Sequence, residues 1–293
     1  MGAELGAELC ALRILYSGGV RTLTFSQRAR RWCGLRGNLF GVVPILVYQM
    51  AKVGSSTIVA ALEQAGLPVV HVHRMDAAHL ERMRTTRRAL GWSETPLPAH
   101  DLLGLRIRQT LFARGGRAKI VTLVRDPIAR NLSSYFEHLD AIFGTVNAYE
   151  GVPMQTIVDG FLRHFPHDDA LTWFDDELLP VTGIDVYARP FPSGGHTTIH
   201  TANVDVLILK SELPDAEKSA ALSAFLGIPP PELQAINRTA DKVKGAAFQE
   251  FVRSVRLDDA YLDRMLESRY ARHFYSAAER AAFRRRFTGG SAL

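Results

Sequence analysis

The stretch PILVYQMAKVGSSTIVAALEQAG, from Pro44 to Gly66, decides the reading of this chain. Ile45 to Tyr48 has the unbroken apolar character of a strand buried on both faces. A short loop of Lys, Gly, Ser, Ser and Thr follows. Ile58, Val59, Ala61, Leu62 and Ala65 then recur at helical spacing. A small-residue loop between strand and helix suits an anion, because a helix N-terminus offers unpaired N–H groups and the positive end of a dipole. The order is wrong for the common triphosphate-binding loop, in which Lys directly follows Gly. Here Lys52 precedes Gly54 by two positions.

Working outward, LPVVHVHRM reads as a second strand ending near His73, and residues 76–91 as a polar, Arg-rich helix. Gly91 to Asp101 is a loop by its Pro and Ser content, and Leu102 to Arg114 an amphipathic helix. AKIVTLVRDP is a buried strand that stops at Pro127, followed by a helix through IARNLSSYFEHLDAIF. Residues 145–200 show little periodicity. VDVLILKSEL is a further buried strand, DAEKSAALSAFLGI a helix ending at Gly227, and the chain is helical from about Gly245 onward. Strands alternating with helices predict an α/β, three-layer, P-loop-like fold with a central, mostly parallel sheet and a helical C-terminal tail. Residues 1–40 read as an N-terminal extension and 41–293 as one domain.

The 293 residues suffice for a sizeable core, and 47% hydrophobic with 22% charged residues is ordinary for a soluble enzyme. The net charge of +5 is mildly basic, and the Arg clusters at 28–31 and 284–286 lack interleaved aromatics, so nucleic acid is not an expected partner. Cys10 and Cys33 form neither a disulfide framework nor a metal motif by spacing. No signal peptide or transmembrane run is evident, which predicts a cytoplasmic chain.

A second informative stretch is VTLVRDPIARNLSSYF, Val121 to Phe136. Arg125 stands at the carboxyl end of a buried strand, where open α/β sheets bind ligands. Ser133 lies eight residues on, within the next helix. A guanidinium and a hydroxyl together there suit one phosphate. Two anion sites on neighbouring strand ends imply a ligand phosphorylated at two places. Each residue also has a plain structural reading: Ser55 to Thr57 as a helix start, Arg125–Asp126 as an ion pair, Ser133 as a helix hydroxyl, Arg130 as structural or solvated.

QMAKVGSST and VRDPIARNLSSYF together resemble the two signature loops of sulfotransferases that use 3′-phosphoadenosine 5′-phosphosulfate, and VDVLILKSELPDAEKSAALSAFLGI resembles a later segment of that superfamily. WFDDELLPVTGIDVY and SRYARHFYSAAE are similar to bacterial proteins labelled "putative capsular polysaccharide synthesis", sulfotransferase-like. The likeness spans about residues 44–280. It implies that Gly54, Ser55, Ser56 and Thr57 wrap the 5′-phosphosulfate and that Lys52 neutralises charge on the bridging oxygen. It implies further that Arg125 and Ser133 bind the 3′-phosphate. The implied acceptor is a hydroxyl, of a carbohydrate or another compound. Proton removal calls for a base; His73 and His100 are the candidates, with His71 deeper on the same strand face. Lys242 and Lys244 could close over the nucleotide, and Trp173, Asp175, Asp176 and Tyr187 either shape the acceptor pocket or pack the sheet. Sulfuryl transfer needs no metal, and His196, His200 and Asp205 lack diagnostic spacing. The rivals are a nucleotide kinase or triphosphatase, and a non-catalytic nucleotide- or glycan-binding protein of polysaccharide assembly.

Overall fold

The computed structural model describes Leu35 and residues 42–234 and 242–288. Cys10, Cys33 and nearly all of the expected 1–40 extension lie outside the described residues. Five strands form one sheet in the order β2-β1-β3-β5-β4: β1 (Ile45–Tyr48), β2 (Val69–Val72), β3 (Ala118–Val124), β4 (His196–His200) and β5 (Val204–Lys210). The first four neighbours in that row are parallel, and β4 pairs antiparallel at the edge. Leu46, Val47, Val70, Val121 and Leu209 are fully enclosed or nearly so, as expected for a parallel sheet covered on both faces. The expected α/β class is therefore observed.

The order matters for function. From β1 the chain goes to β2 on one side and then to β3 on the other, which makes the carboxyl ends of β1 and β3 a topological switch point, where such sheets leave a crevice. Lys52 follows β1 and Arg125 follows β3, so both anion-binding candidates flank that crevice.

Four helices set the walls of the crevice. Helix α1 (Ser55–Gln64) follows the β1 loop and α2 (Ala77–Ala89) starts at Asp76, whose side chain accepts from the His79 amide. Helix α3 (Ala99–Thr110) begins earlier than its sequence suggests, because the loop ends at Pro98 rather than Asp101. His100 and Asp101 thus lie in its first turn. Gly104 explains the fit: a Cβ there would meet the Arg74 carbonyl oxygen at 1.8 Å, so only glycine lets α3 lie directly on the exit of β2. Helix α4 (Pro127–Glu137) is capped by Asp126 and has Pro127 at its first position. It ends at Glu137, and after a break at His138 the chain is helical again over Leu139–Phe143, so the helix expected through Phe143 is present in two pieces.

The region 145–200 is more ordered than its sequence implies. It holds helix α5 (Met154–His164), the five-residue π-helical turn Phe174–Leu178 and edge strand β4. The polar HTTIH of β4 conceals a strand because an edge strand exposes one side. Helix α6 (Asp215–Leu226) ends at Gly227 in the left-handed conformation, as its sequence suggests. The C-terminal part breaks into α7 (Lys242–Ser254), α8 (Asp259–Leu266), α9 (Arg269–Phe274) and α10 (Ala277–Thr288), with Asp258 and Ser268 capping α8 and α9. A second apolar cluster joins α4, α5, α7 and α8 through Leu132, Tyr135, Phe161, Phe251 and Met265.

One buried carboxylate ties these parts together. Glu177, in the π-helical turn, is wholly enclosed and accepts from the Tyr48 hydroxyl, the Met75 and Asp76 amides and the His79 ring. It joins the end of β1 to the start of α2. Each buried donor left without an acceptor costs about 1–3 kcal/mol, so Glu177→Ala is expected to lose at least about 3 kcal/mol. The measurement is urea unfolding; a loss under about 1 kcal/mol would show that the carboxylate does not hold the junction.

Candidate functional site

The loop after β1 is held by its carbonyl groups. Arg130 Nε donates to the Ala51 carbonyl at 3.2 Å, Arg125 Nη1 to the Lys52 carbonyl at 2.7 Å, and Ser211 Oγ to the Val53 carbonyl at 2.8 Å. Three successive acceptors are thus consumed by side chains from α4, the β3 exit and the β5 exit. Lys52 adopts φ 70, a region costly for a non-glycine residue, and Gly54 adopts φ 85. At Gly54 an added Cβ would also approach Ser211 Oγ at 3.2 Å. No side chain caps the N-terminus of α1. With carbonyls tied back and the first-turn amides uncapped, the loop is built to present N–H groups to an anion.

Arg125 is itself clamped. The Tyr270 hydroxyl of α9 accepts from the Arg125 amide and donates to the Arg125 carbonyl, both at 3.0 Å. Burial lowers the Arg125 pKa, while Glu212 and Asp126 oppose the shift. The neighbouring Asp126 carboxyl is pushed up to about 6, chiefly by burial. Ser133 is half-buried on α4.

A cavity of about 350 Å³ opens beside the loop. Lys52, His73 and His100 all line it, together with Arg74, Arg87 and Arg130. The other predicted binding residues, Gly54 to Thr57, Arg125 and Ser133, do not line this cavity. The predicted residues therefore fall into two groups that meet at Lys52.

The histidines form a file. The His71 and His73 ring centroids are 4.7 Å apart, and those of His73 and His100 5.0 Å. His71 is already engaged: Gln49 and Ser55 Oγ reach its Nε2 at 2.9 and 3.1 Å. His73 Nδ1 lies 2.9 Å from the Gln49 carbonyl oxygen. A carbonyl only accepts, so the His73 proton sits on Nδ1 and Nε2 carries the lone pair. Burial lowers the His73 pKa well below the ordinary histidine value, and His71 adds to the shift. His100 is half-exposed, with Nε2 3.5 Å from Asp101 Oδ1; burial lowers its pKa against the opposing pull of Asp101.

Some participants escaped sequence reasoning. Glu137 Oε2 meets Lys52 Nζ at 3.5 Å and Lys244 Nζ at 3.4 Å. Burial alone would raise the Glu137 pKa; the two lysines reverse this and lower it. Lys244, on α7, thus reaches the site through the same carboxylate as Lys52. Tyr270 and Ser211 carried no local signal, since their partners are backbone atoms of distant segments. Trp173 supports the sheet: it is buried and its Nε1 donates to the His73 carbonyl at 3.1 Å. Asp175 and Asp176 pair with Arg269 and Arg82, and Tyr187 packs against His273 and Phe274. None of these four lines the cavity. His200 pairs with Asp205 at 2.8 Å, and no group of three His, Cys, Asp or Glu among the described residues could hold a metal. No described helix is long and apolar enough to cross a membrane.

Comparison with known families matches residues 159–276 to a family described as "Putative capsular polysaccharide synthesis protein". The matched segment contains Trp173, Glu177, Ser211 and Tyr270, the residues that brace the site, but not Lys52, His73 or Arg125. Curated proteins and solved structures return no match.

Tyr270→Phe removes the one group that serves both backbone atoms of Arg125. It is expected to cost about 1–3 kcal/mol in urea unfolding and to speed hydrogen exchange at the Arg125 amide. Unchanged exchange there would mean that the hydroxyl does not fix the arginine.

Proposed function

We propose that this chain is a sulfotransferase that moves a sulfuryl group from 3′-phosphoadenosine 5′-phosphosulfate to a carbohydrate hydroxyl. One observation carries this reading: Lys52, in a strained loop with tied-back carbonyls, faces the same cavity as His73 while Arg125 is docked on its carbonyl. The uncapped start of α1 fits an anionic group, and the likeness of residues 159–276 to a capsular polysaccharide family supports a glycan acceptor.

The co-substrate supplies the sulfuryl group and a phosphate able to leave. In this reading the amides of Gly54 to Thr57 would hold its 5′ end, and Arg125 with Ser133 its 3′-phosphate. Lys52 offsets the negative charge left on the phosphate oxygen as the sulfur–oxygen bond breaks. His73 takes the acceptor's proton at Nε2 as the acceptor oxygen bonds to sulfur. The Gln49 carbonyl keeps that ring in the tautomer able to accept. Glu137 orients Lys52 and draws Lys244 toward it.

A ligand that binds only the folded state raises the melting temperature, so 3′-phosphoadenosine 5′-phosphate is expected to stabilise the protein more than ATP does. Arg125→Ala should abolish most of that shift, and Lys52→Ala should lower kcat by about 10²–10³. Stronger stabilisation by ATP would favour a nucleotide kinase. Nucleotide binding without transfer to any glycan of a broad panel would favour a binding protein.

The pH dependence has a defined sign. His73 is active when neutral, and its pKa is lowered, so it stays competent on the acid side of the ordinary value of 6.5. The acid limb of kcat/KM is expected below pH 6.5 and should disappear in His73→Ala along with most activity. A limb at or above that value would exclude His73 as the base.

A further inference from the structure

The cavity that His73 and Lys52 share carries more positive charge than its own acids neutralise. Lys52, Arg74, Arg84, Arg87, Arg88 and Arg130 line it against three carboxylates, Glu94, Asp101 and Glu137. Each carboxylate already has a partner among these bases: Arg88 to Glu94 at 2.7 Å, Arg74 to Asp101 at 3.1 Å, and Lys52 to Glu137 at 3.5 Å. Among the described residues Arg84 pairs with Glu81, outside the lining, at 3.8 Å.

Arg87 and Arg130 are the surplus. Neither makes an ion pair among the described residues. Arg130 is 4% exposed and donates only to neutral acceptors, the Ala51 carbonyl and Asn131 Oδ1. Arg87 lies over the Trp92 ring at 4.6 Å, and its Nε is buried with no hydrogen-bond partner. Burial holds both guanidinium pKa values down to about 10, with Arg74 adding to the shift and Asp169 opposing it. The histidines add little further positive charge: His73, His100 and His138 are all pushed toward the neutral form by burial.

Two largely buried guanidiniums with no carboxylate in ion-pair contact among the described residues are costly for the free protein. An anionic ligand removes that cost, and the guanidinium fork matches a carboxylate, sulfate or phosphate. The cavity size falls at the small end of ligand sites, which suits one or two sugar rings rather than a polymer strand. We infer that the acceptor is an acidic saccharide, whose anionic group is read by Arg87 at the cavity wall while its hydroxyl is presented to His73. Arg84 at the rim would assist. This rests on the sulfotransferase reading only for the role of the bound sugar; the binding preference itself can be measured without donor.

The test is calorimetric binding of three matched probe pairs: a hexuronate disaccharide and its carboxyl-reduced form, a sulfated disaccharide and its desulfated form, and a hexose 6-phosphate and the free hexose. In at least one pair the anionic member is expected to bind about 10- to 100-fold tighter, the range of a charge-assisted contact. Arg87→Gln should remove most of that preference, and Arg84→Gln a smaller part. Both variants should keep the thermal shift with 3′-phosphoadenosine 5′-phosphate, which also verifies folding. Equal or undetectable binding across all three pairs overturns the inference, as does a preference that survives Arg87→Gln. Loss of the nucleotide shift in the unaltered protein would instead overturn the sulfotransferase reading and leave the saccharide result standing.

Discussion

The site depends on the capture of three consecutive carbonyl oxygens. Arg130, Arg125 and Ser211 hold Ala51, Lys52 and Val53 from the side opposite the α1 amides. A loop of small residues has little packing of its own, and a left-handed Lys52 is a conformation it would otherwise leave. Two of the three donors are charged, which makes these bonds stronger than ordinary amide contacts. They come from three separate elements, so the loop is tied to α4 and to the exits of β3 and β5.

That arrangement gives the arginines of RDPIAR distinct tasks. Arg130 is enclosed within α4 and braces the loop from beneath, while Arg125 stands at the strand exit and is locked by Tyr270. The C-terminal helices are therefore part of the site's framework rather than an appendage. Glu177 performs the corresponding task on the other flank, joining the end of β1 to the turn that follows His73. A buried carboxylate with four donors is strongly directional, and Trp173 beside it bonds the His73 carbonyl. The family match, residues 159–276, falls on this bracing segment.

The strands and helices that bound the site were legible because their signals are local. ILVY, AKIVTLV and VDVLILK are continuous apolar runs, and Gly54, Pro127 and Gly227 punctuate them at positions where backbone geometry leaves few alternatives. The edge strand HTTIH and the helices between 145 and 200 were not legible, since their character depends on which side meets the core. Likewise the long helix expected at the C-terminus is divided by Asp258 and Ser268, whose capping bonds compete with continuation only once α8 and α9 have surfaces to pack on.

For the site the same division holds. Sequence alone indicated that Lys52 and Arg125 each follow a strand and that a small-residue loop opens a helix, because strands and helix starts follow from short-range pattern, whereas the adjacency of those two strands is set by the sheet. It also offered a few histidines as candidate bases. Only the tertiary structure gave them different surroundings, engaging the His71 nitrogen with Gln49 and Ser55 and the His73 Nδ1 with a carbonyl. It alone placed Glu137 between two lysines and left Arg87 and Arg130 without an ion pair among the described residues. Those outcomes are set by contacts between segments far apart in the chain, and no local pattern encodes which polar groups are satisfied and which remain for a ligand.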